Sequence, residues 1–233
     1  MEDKFITTGG FTTHYLVGGK GSPLVLVHGI TSTAEGAWKY NLPSLTQHHR
    51  VYALDLIGHG KSDKPLIDYT LPFFTAFFGQ FVEALGLEKF SLVGHSFGGS
   101  IALAFMLNNP GKVGKLILID SGGISTSTTW VGRLVLALLT IRARINKDYT
   151  YLSIIRNGDK TTDTFCDRLS EIMAPTLIVW GKRDVIIPVE YAYKAHNLIK
   201  GSHLHIFDRS WHSPHNEHPE EFNRLVLGFL SYT

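Results

Sequence analysis

The segment Gly94-His95-Ser96-Phe97-Gly98-Gly99 constrains this chain more than any other. An apolar run, FSLV (Phe90–Val93), leads into it, and a helical run, SIALAFML (Ser100–Leu107), leaves it. A strand that turns into a helix over so few residues needs a sharp reversal, which closely spaced glycines permit. The serine at the apex is held in a strained conformation, lifted out of the sheet and set at a helix N-terminus. This is the G-x-S-x-G nucleophile elbow in its strand–turn–helix context, with Ser96 as the nucleophile.

The rest of the chain fits a sheet that carries such an elbow. Short Val/Leu/Ile runs alternate with longer helical patterns, as in a mostly parallel sheet with helices on both faces. Strands are expected at Phe11–Leu16, Pro23–His28, Val51–Asp55, Phe90–Val93, Lys115–Asp120, Thr176–Trp180 and His203–Phe207. Helices are expected near Ala37–His48, Leu71–Leu85, Phe97–Asn108, Pro188–Ile199 and Pro219–Leu230. The 233 residues, 44% of them hydrophobic, suffice for one core, so 1–233 reads as a single α/β domain. Residues 122–172 break the rhythm and read as a helical cap inserted where a lid over a site sits.

Composition narrows the function. With 22 basic against 20 acidic residues there is no electrostatic footprint for nucleic acid, and no Lys/Arg cluster points to a membrane surface. The start, MEDKFITTGG, lacks a secretory pattern, and the single Cys166 rules out an internal disulfide; the expectation is a soluble, cytoplasmic protein. The GKS in Gly58–Ser62 lacks the leading glycine of a phosphate loop, because Asp55 holds that place. His212, His215 and His218 are spaced by three, but Pro214 and Pro219 interrupt the helix that a metal face would need. No cofactor and no metal are expected.

With VHG (Val27–Gly29), DLIGHGKSDKP (Asp55–Pro65), GHSFGG, APTLIVWGKRD (Ala174–Asp184) and WHSPHNEHPEEF (Trp211–Phe222), the chain resembles the α/β-hydrolases over nearly its whole length outside the cap. The resemblance implies a Ser–acid–His order. Asp184 follows the strand PTLIVWG, and His212 stands at the family's H-x-P-x-x-E-x-P position. Asp120, which also ends a strand, is the rival carboxylate. His95 sits beside Ser96 and is expected to point away from it. His28 and His59 are expected to hydrogen-bond locally, and His215 and His218 to lie at the surface or a helix entry. By the same resemblance, the backbone N–H groups of Phe97 and Ile30 form the oxyanion hole. Gly29 lets the backbone approach the substrate there.

Two features depart from the family. Trp211 stands where relatives usually carry glycine; it either walls the acyl pocket or packs outward. The cap is short, which predicts an open site. Trp130, Leu134, Leu138 and Ile141, spaced i, i+4, i+8 and i+11, are the candidates for a pocket-facing stripe, the alternative being packing against the sheet. Together with Gly29, His95 and Trp211 they make up the expected substrate pocket. Phe73, Phe74, Phe77, Phe78 and Phe81 most simply bury one helix; an exposed remainder would support a homodimer, otherwise a monomer.

The leading expectation is hydrolysis of small to medium carboxylic esters through an acyl-enzyme, with lactones presenting the same electrophile. The alternative is cleavage of carbon–carbon bonds in vinylogous 1,5-diketones from aromatic ring fission, with Arg133, Arg142 and Arg144 over the anionic substrate. A non-turnover small-molecule receptor on the same fold is the reading of a different class.

Overall fold

The computed structural model describes residues 1–124, 127–158 and 165–231. Its sheet has eight strands: β1 (Glu2–Thr8), β2 (Phe11–Gly18), β3 (Pro23–Val27), β4 (Arg50–Leu54), β5 (Phe90–His95), β6 (Val113–Ile119), β7 (Thr176–Gly181) and β8 (His203–Phe207). They run side by side in the order β1-β2-β4-β3-β5-β6-β7-β8. Only β1 and β2 run antiparallel to their neighbours, and the pairs from β4 to β8 are parallel. β1 escapes the sequence reading because EDKFITT is mostly polar and exposed, as a sheet edge tolerates.

The period of two explains how the inner strands are buried on both faces. Leu92 of β5, Leu116 and Leu118 of β6, and Ile178 and Trp180 of β7 enter one core. Val93, Ile117, Ile119, Leu177 and Val179, which alternate with them, enter the other. The first core is covered by α3 (Leu71–Ala84) and α4 (Phe97–Asn108). There Phe74, Phe77, Phe78 and Phe81 are buried and Phe73 is half-buried. The second core is covered by α1 (Ala34–Trp38), α2 (Leu42–Leu45) and the C-terminal helix Pro219–Ser231. The single helix expected over Ala37–His48 is two short ones. Pro43 restricts the residue before it, and the Asn41 side chain is buried between them, donating to His215 O and Asn223 Oδ1.

Between β6 and β7 the chain leaves the sheet to form α5 (Trp130–Ile145), α6 (Tyr149–Gly158) and a 3₁₀ turn at Cys166–Glu171. The expected cap, 122–172, spans these elements; its residues 125–126 and 159–164 lie outside the described residues. Next come α7 (Glu190–Leu198), α8 (Pro214–Glu217) and α9, the C-terminal helix just given. Register aligns the strand ends that matter: Val27 with Gly94, His95 with Ile119, Ile119 with Val179, and Gly181 with Phe207. The loops that follow β3, β5, β6, β7 and β8 therefore emerge at one edge, where parallel sheets hold their ligands.

Candidate active site

Ser96 has φ 53 and ψ −118, left-handed backbone that a side chain rarely takes. The turn is held by Ser96 N donating to Ile119 O at 2.9 Å and by Gly99 N and Gly122 N donating to Ser96 O. A Cβ on Gly98 would overlap the Val27 carbonyl, so α4 can approach β3 only through a glycine there. The Phe97 N–H, in the first turn of α4, has no intrahelical acceptor.

His212 brings the loops together. Its Nε2 lies 2.9 Å from Ser96 Oγ, and its Nδ1 lies 2.6 Å from Asp184 Oδ2. The other Asp184 oxygen accepts from Ile186 N at 2.8 Å and Ile187 N at 3.0 Å, which fixes the carboxylate's rotation in its buried turn. Three loops, far apart in sequence, thus meet as nucleophile, base and acid. An imidazole with this acid behind it carries its proton on Nδ1 and offers Nε2 to the serine.

Asp120 is placed behind this set. It is fully buried, with φ 41, and its Oδ1 accepts from Gly181 N at 2.8 Å. Burial and then the Asp184 charge raise its carboxyl well above the usual carboxylate range, so it keeps its proton. His212 makes its hydrogen bond to Asp184. His95 turns away from Ser96: its Nε2 donates to His212 O at 2.7 Å, and burial, then His215 and His212, hold it neutral. His95 therefore supports the His212 backbone from behind and is not among the residues that wall the cleft described below. His215 is not a surface residue. It is fully buried against Trp38 and Phe222, and burial pushes it down to about 3.

His28 shapes the expected oxyanion hole. Its Nε2 accepts from Leu56 N at 3.1 Å, so Nδ1 carries the proton and donates to Gly29 O at 2.7 Å. Burial, then His59, pushes it down to about 3, which keeps it in this neutral form. In a trans peptide the carbonyl and the following N–H point in opposite directions. Holding the Gly29 carbonyl therefore aims the Ile30 N–H the other way. A Cβ on Gly29 would lie 3.2 Å from Ser96 Cβ, so glycine keeps this segment beside the nucleophile. His59 bonds within its own turn to Ile57 O at 3.2 Å, as expected, and also reaches across to Ile30 O at 2.7 Å. The DLIGHGKSDKP segment braces the same loop. Asp55 accepts from Ala34 N, Lys61 N and His14 Nδ1, and Ser62 Oγ donates back to Asp55 O.

The pocket differs from expectation. A cleft of about 620 Å³ adjoins the two expected oxyanion donors and is walled by Ile30, Phe97, Leu136, Ala137, Ile154 and Arg133, among others; Ser96 and His212 are not part of its lining. Trp130, Leu134, Leu138 and Ile141 instead face solvent, Trp130 being 74% exposed and Leu138 67%. The reason is the helix face: Gly132 is buried against Val185 O, which turns 132, 136, 139 and 143 inward and sends the 130/134/138/141 stripe outward. Trp211 is 51% exposed and does not line the cleft. The Trp211 backbone N–H donates to Glu217 Oε2 at 2.8 Å, and Ser213 N donates to Oε1 at 3.0 Å, so Glu217 grips the loop on both sides of His212. The sequence reading missed the roles of His28 and Glu217, although both stand inside motifs it singled out.

Among the described residues, donor atoms of His95, Asp120 and His212 lie within 4.8 Å of one another, close enough for a metal ion. Both His212 nitrogens face Asp184 and Ser96, and Asp120 keeps its proton, so the donor set does not suit one. No helix among the described residues is long and apolar enough to cross a membrane.

The family model of the alpha/beta hydrolase fold matches residues 22–147. Among curated proteins, the chain is 34% identical to a 2-hydroxy-6-oxo-6-(2'-aminophenyl)hexa-2,4-dienoic acid hydrolase of Metapseudomonas resinovorans, over 98% of this chain and 91% of that one. It is 30% identical to the 2-hydroxy-6-oxo-2,4-heptadienoate hydrolase of Pseudomonas putida, over 98% and 96%. Among solved structures, a serine hydrolase involved in carbazole degradation superposes with TM-score 0.85 at 31% identity, covering 99% of this chain and 98% of its own.

Proposed function

Because the chain belongs to the α/β-hydrolase family, we propose that it is a serine hydrolase that cleaves a carbon–carbon bond in 2-hydroxy-6-oxo-dienoates, the vinylogous 1,5-diketones left by aromatic ring fission. The similarity to two hydrolases of such acids favours this over the ester reading that the sequence put first. The observation that carries it is Arg133, the arginine that shares the cleft with Ile30 and Phe97 and can meet a substrate carboxylate there. Arg142 borders a separate cleft, on the other side of Ile30.

Ser96 Oγ attacks the keto carbon while its proton passes to His212 Nε2. Asp184 holds the imidazolium. The oxyanion forms against the N–H groups of Ile30 and Phe97, each such donor being typically worth ~10²–10³ in rate. Collapse breaks the carbon–carbon bond in the 2,6-dioxo tautomer, formed when the 2-hydroxyl proton moves to the carbon beside the keto group; that carbon departs with its electron pair delocalised through the enone as a dienolate, which takes the proton from His212. Water, activated by the same histidine, releases the acyl group as a carboxylic acid. The same steps hydrolyse an ester, and the largely apolar cleft wall favours that second reading.

The test follows loss of the dienoate chromophore beside hydrolysis of p-nitrophenyl esters from acetate to decanoate, with Ser96→Ala and Arg133→Gln as variants. Dienoate kcat/KM should exceed that of the best ester, vanish in S96A, and fall in R133Q mainly through KM. Faster ester turnover, equally affected by R133Q, would reverse the assignment; single-turnover binding alone would point to a receptor.

A further inference from the structure

The outer face of α5 has no described element packed on it. Trp130, Leu134, Leu138, Ile141 and Ile145 are all more than half exposed, as is Tyr149 at the start of α6. At 3.6 residues per turn the five helical residues fall within an arc of roughly 80°, the width of a helix face that seeks an apolar partner. Arg142 stands on one side of this arc, Arg144 and Arg133 on the other, and the helix contains no acidic residue. Asp148, the first acid after the helix, is engaged at the start of α6, where its Oδ1 accepts from Tyr151 N.

The geometry points to α5 as a docking helix that lies in the surface of an anionic lipid layer, its apolar stripe among the acyl chains and Arg142 and Arg144, one on each flank, at the headgroups. A tryptophan at one end, leucine and isoleucine along the centre and arginines on both flanks is the arrangement that an interfacial helix uses. Charge decides against a second copy as the occupant. Antiparallel α5 helices paired about their midpoint would set Arg133 of one opposite Arg142 of the other, with no carboxylate in either helix to relieve them. An anionic surface meets Arg142 and Arg144 at once and leaves Arg133 to the cleft. Leu136 on the opposite face, and Ala137 at the margin of the stripe, line the cleft, so docking would bring the cleft beside the lipid. The sequence-wide charge balance hides this feature, because the fold gathers these residues on one helix.

Flotation with vesicles of phosphatidylcholine alone, and of phosphatidylcholine mixed with phosphatidylglycerol, tests the proposal on the whole chain. The mixed vesicles should bind on the order of 30-fold more tightly, from two arginines near the surface, and salt should weaken that binding. Leu134→Glu/Leu138→Glu and Arg142→Gln/Arg144→Gln should each lose it while keeping their turnover of a soluble substrate, which shows that they fold. Absence of vesicle binding by the wild type overturns the proposal. So does retention of binding by L134E/L138E, since the stripe would then have no part in it. A concentration-dependent dimer that L134E/L138E disperses, without vesicle binding, assigns the face to self-association instead.

Discussion

Replacing Asp184 by asparagine tests the site at its most specific point. The two backbone donors at Ile186 and Ile187 both require an acceptor, and the asparagine carbonyl is the only one the new side chain has. The amide NH₂ must therefore take the place of Oδ2 and donate to His212 Nδ1. The imidazole then carries its proton on Nε2, 2.9 Å from Ser96 Oγ, and faces the serine as a donor where a base is required. Steric bulk and fold are conserved; only the tautomer is wrong. A loss on the order of 10⁴ in kcat follows, equivalent to about 5.5 kcal/mol of barrier at 1.36 kcal/mol per tenfold. KM should stay within about threefold, because Asp184 is buried and does not line the cleft. Steady-state kinetics on the best substrate, with a thermal melt to show that the variant folds, measure both. If D184N kept more than about a tenth of the wild-type kcat, the tautomer argument would fail. Asp120 would then be supplying the charge, and the D120N/D184N double variant would show it.

Asp120→Asn bears on stability through pH. The folded-state carboxyl is raised, so the unfolded chain ionises first, and wild-type stability is lost relative to D120N as pH climbs from the ordinary carboxylate range towards the folded value. D120N should melt higher than wild type at pH 8, by a margin that shrinks towards pH 4; a margin independent of pH would mean that Asp120 is not held protonated. Cleft shape gives the other prediction. Ala137→Phe should reduce decanoate kcat/KM relative to acetate by about tenfold or more, the worth of one or two lost methylene contacts, whereas Trp211→Gly should leave that ratio unchanged. A shifted profile in W211G alone would move the pocket to the His212 side.

Much of this was legible in the sequence because the elements concerned are local. The elbow is written in consecutive residues, and the inner strands announce themselves as apolar runs. Asp184 and His212 could be picked out because each follows such a run. What was not legible depends on rotation and depth. Nothing in WVGRLVLALLTI says which side of the helix faces the cleft; that follows from Gly132 seating against Val185 O, a contact across 53 positions. His215 looked like a polar residue at a helix entry, yet Trp38 and Phe222 enclose it. The carboxylate that serves His212 and the one that rests protonated behind it both end strands, and only hydrogen-bond geometry tells them apart.

The placing of His212 sets how this molecule would wear out. The base follows β8, the terminal strand of the sheet, paired with β7 on one side and with no described strand on the other. The nucleophile follows β5, in the interior, with strands on both sides. Edge strands open at lower free energy than central ones, so the first excursions of a warming molecule would detach the proton acceptor while Ser96 and both cores stay in place. Inactivation would then be a reversible fraying of one margin, complete before the secondary structure as a whole begins to melt.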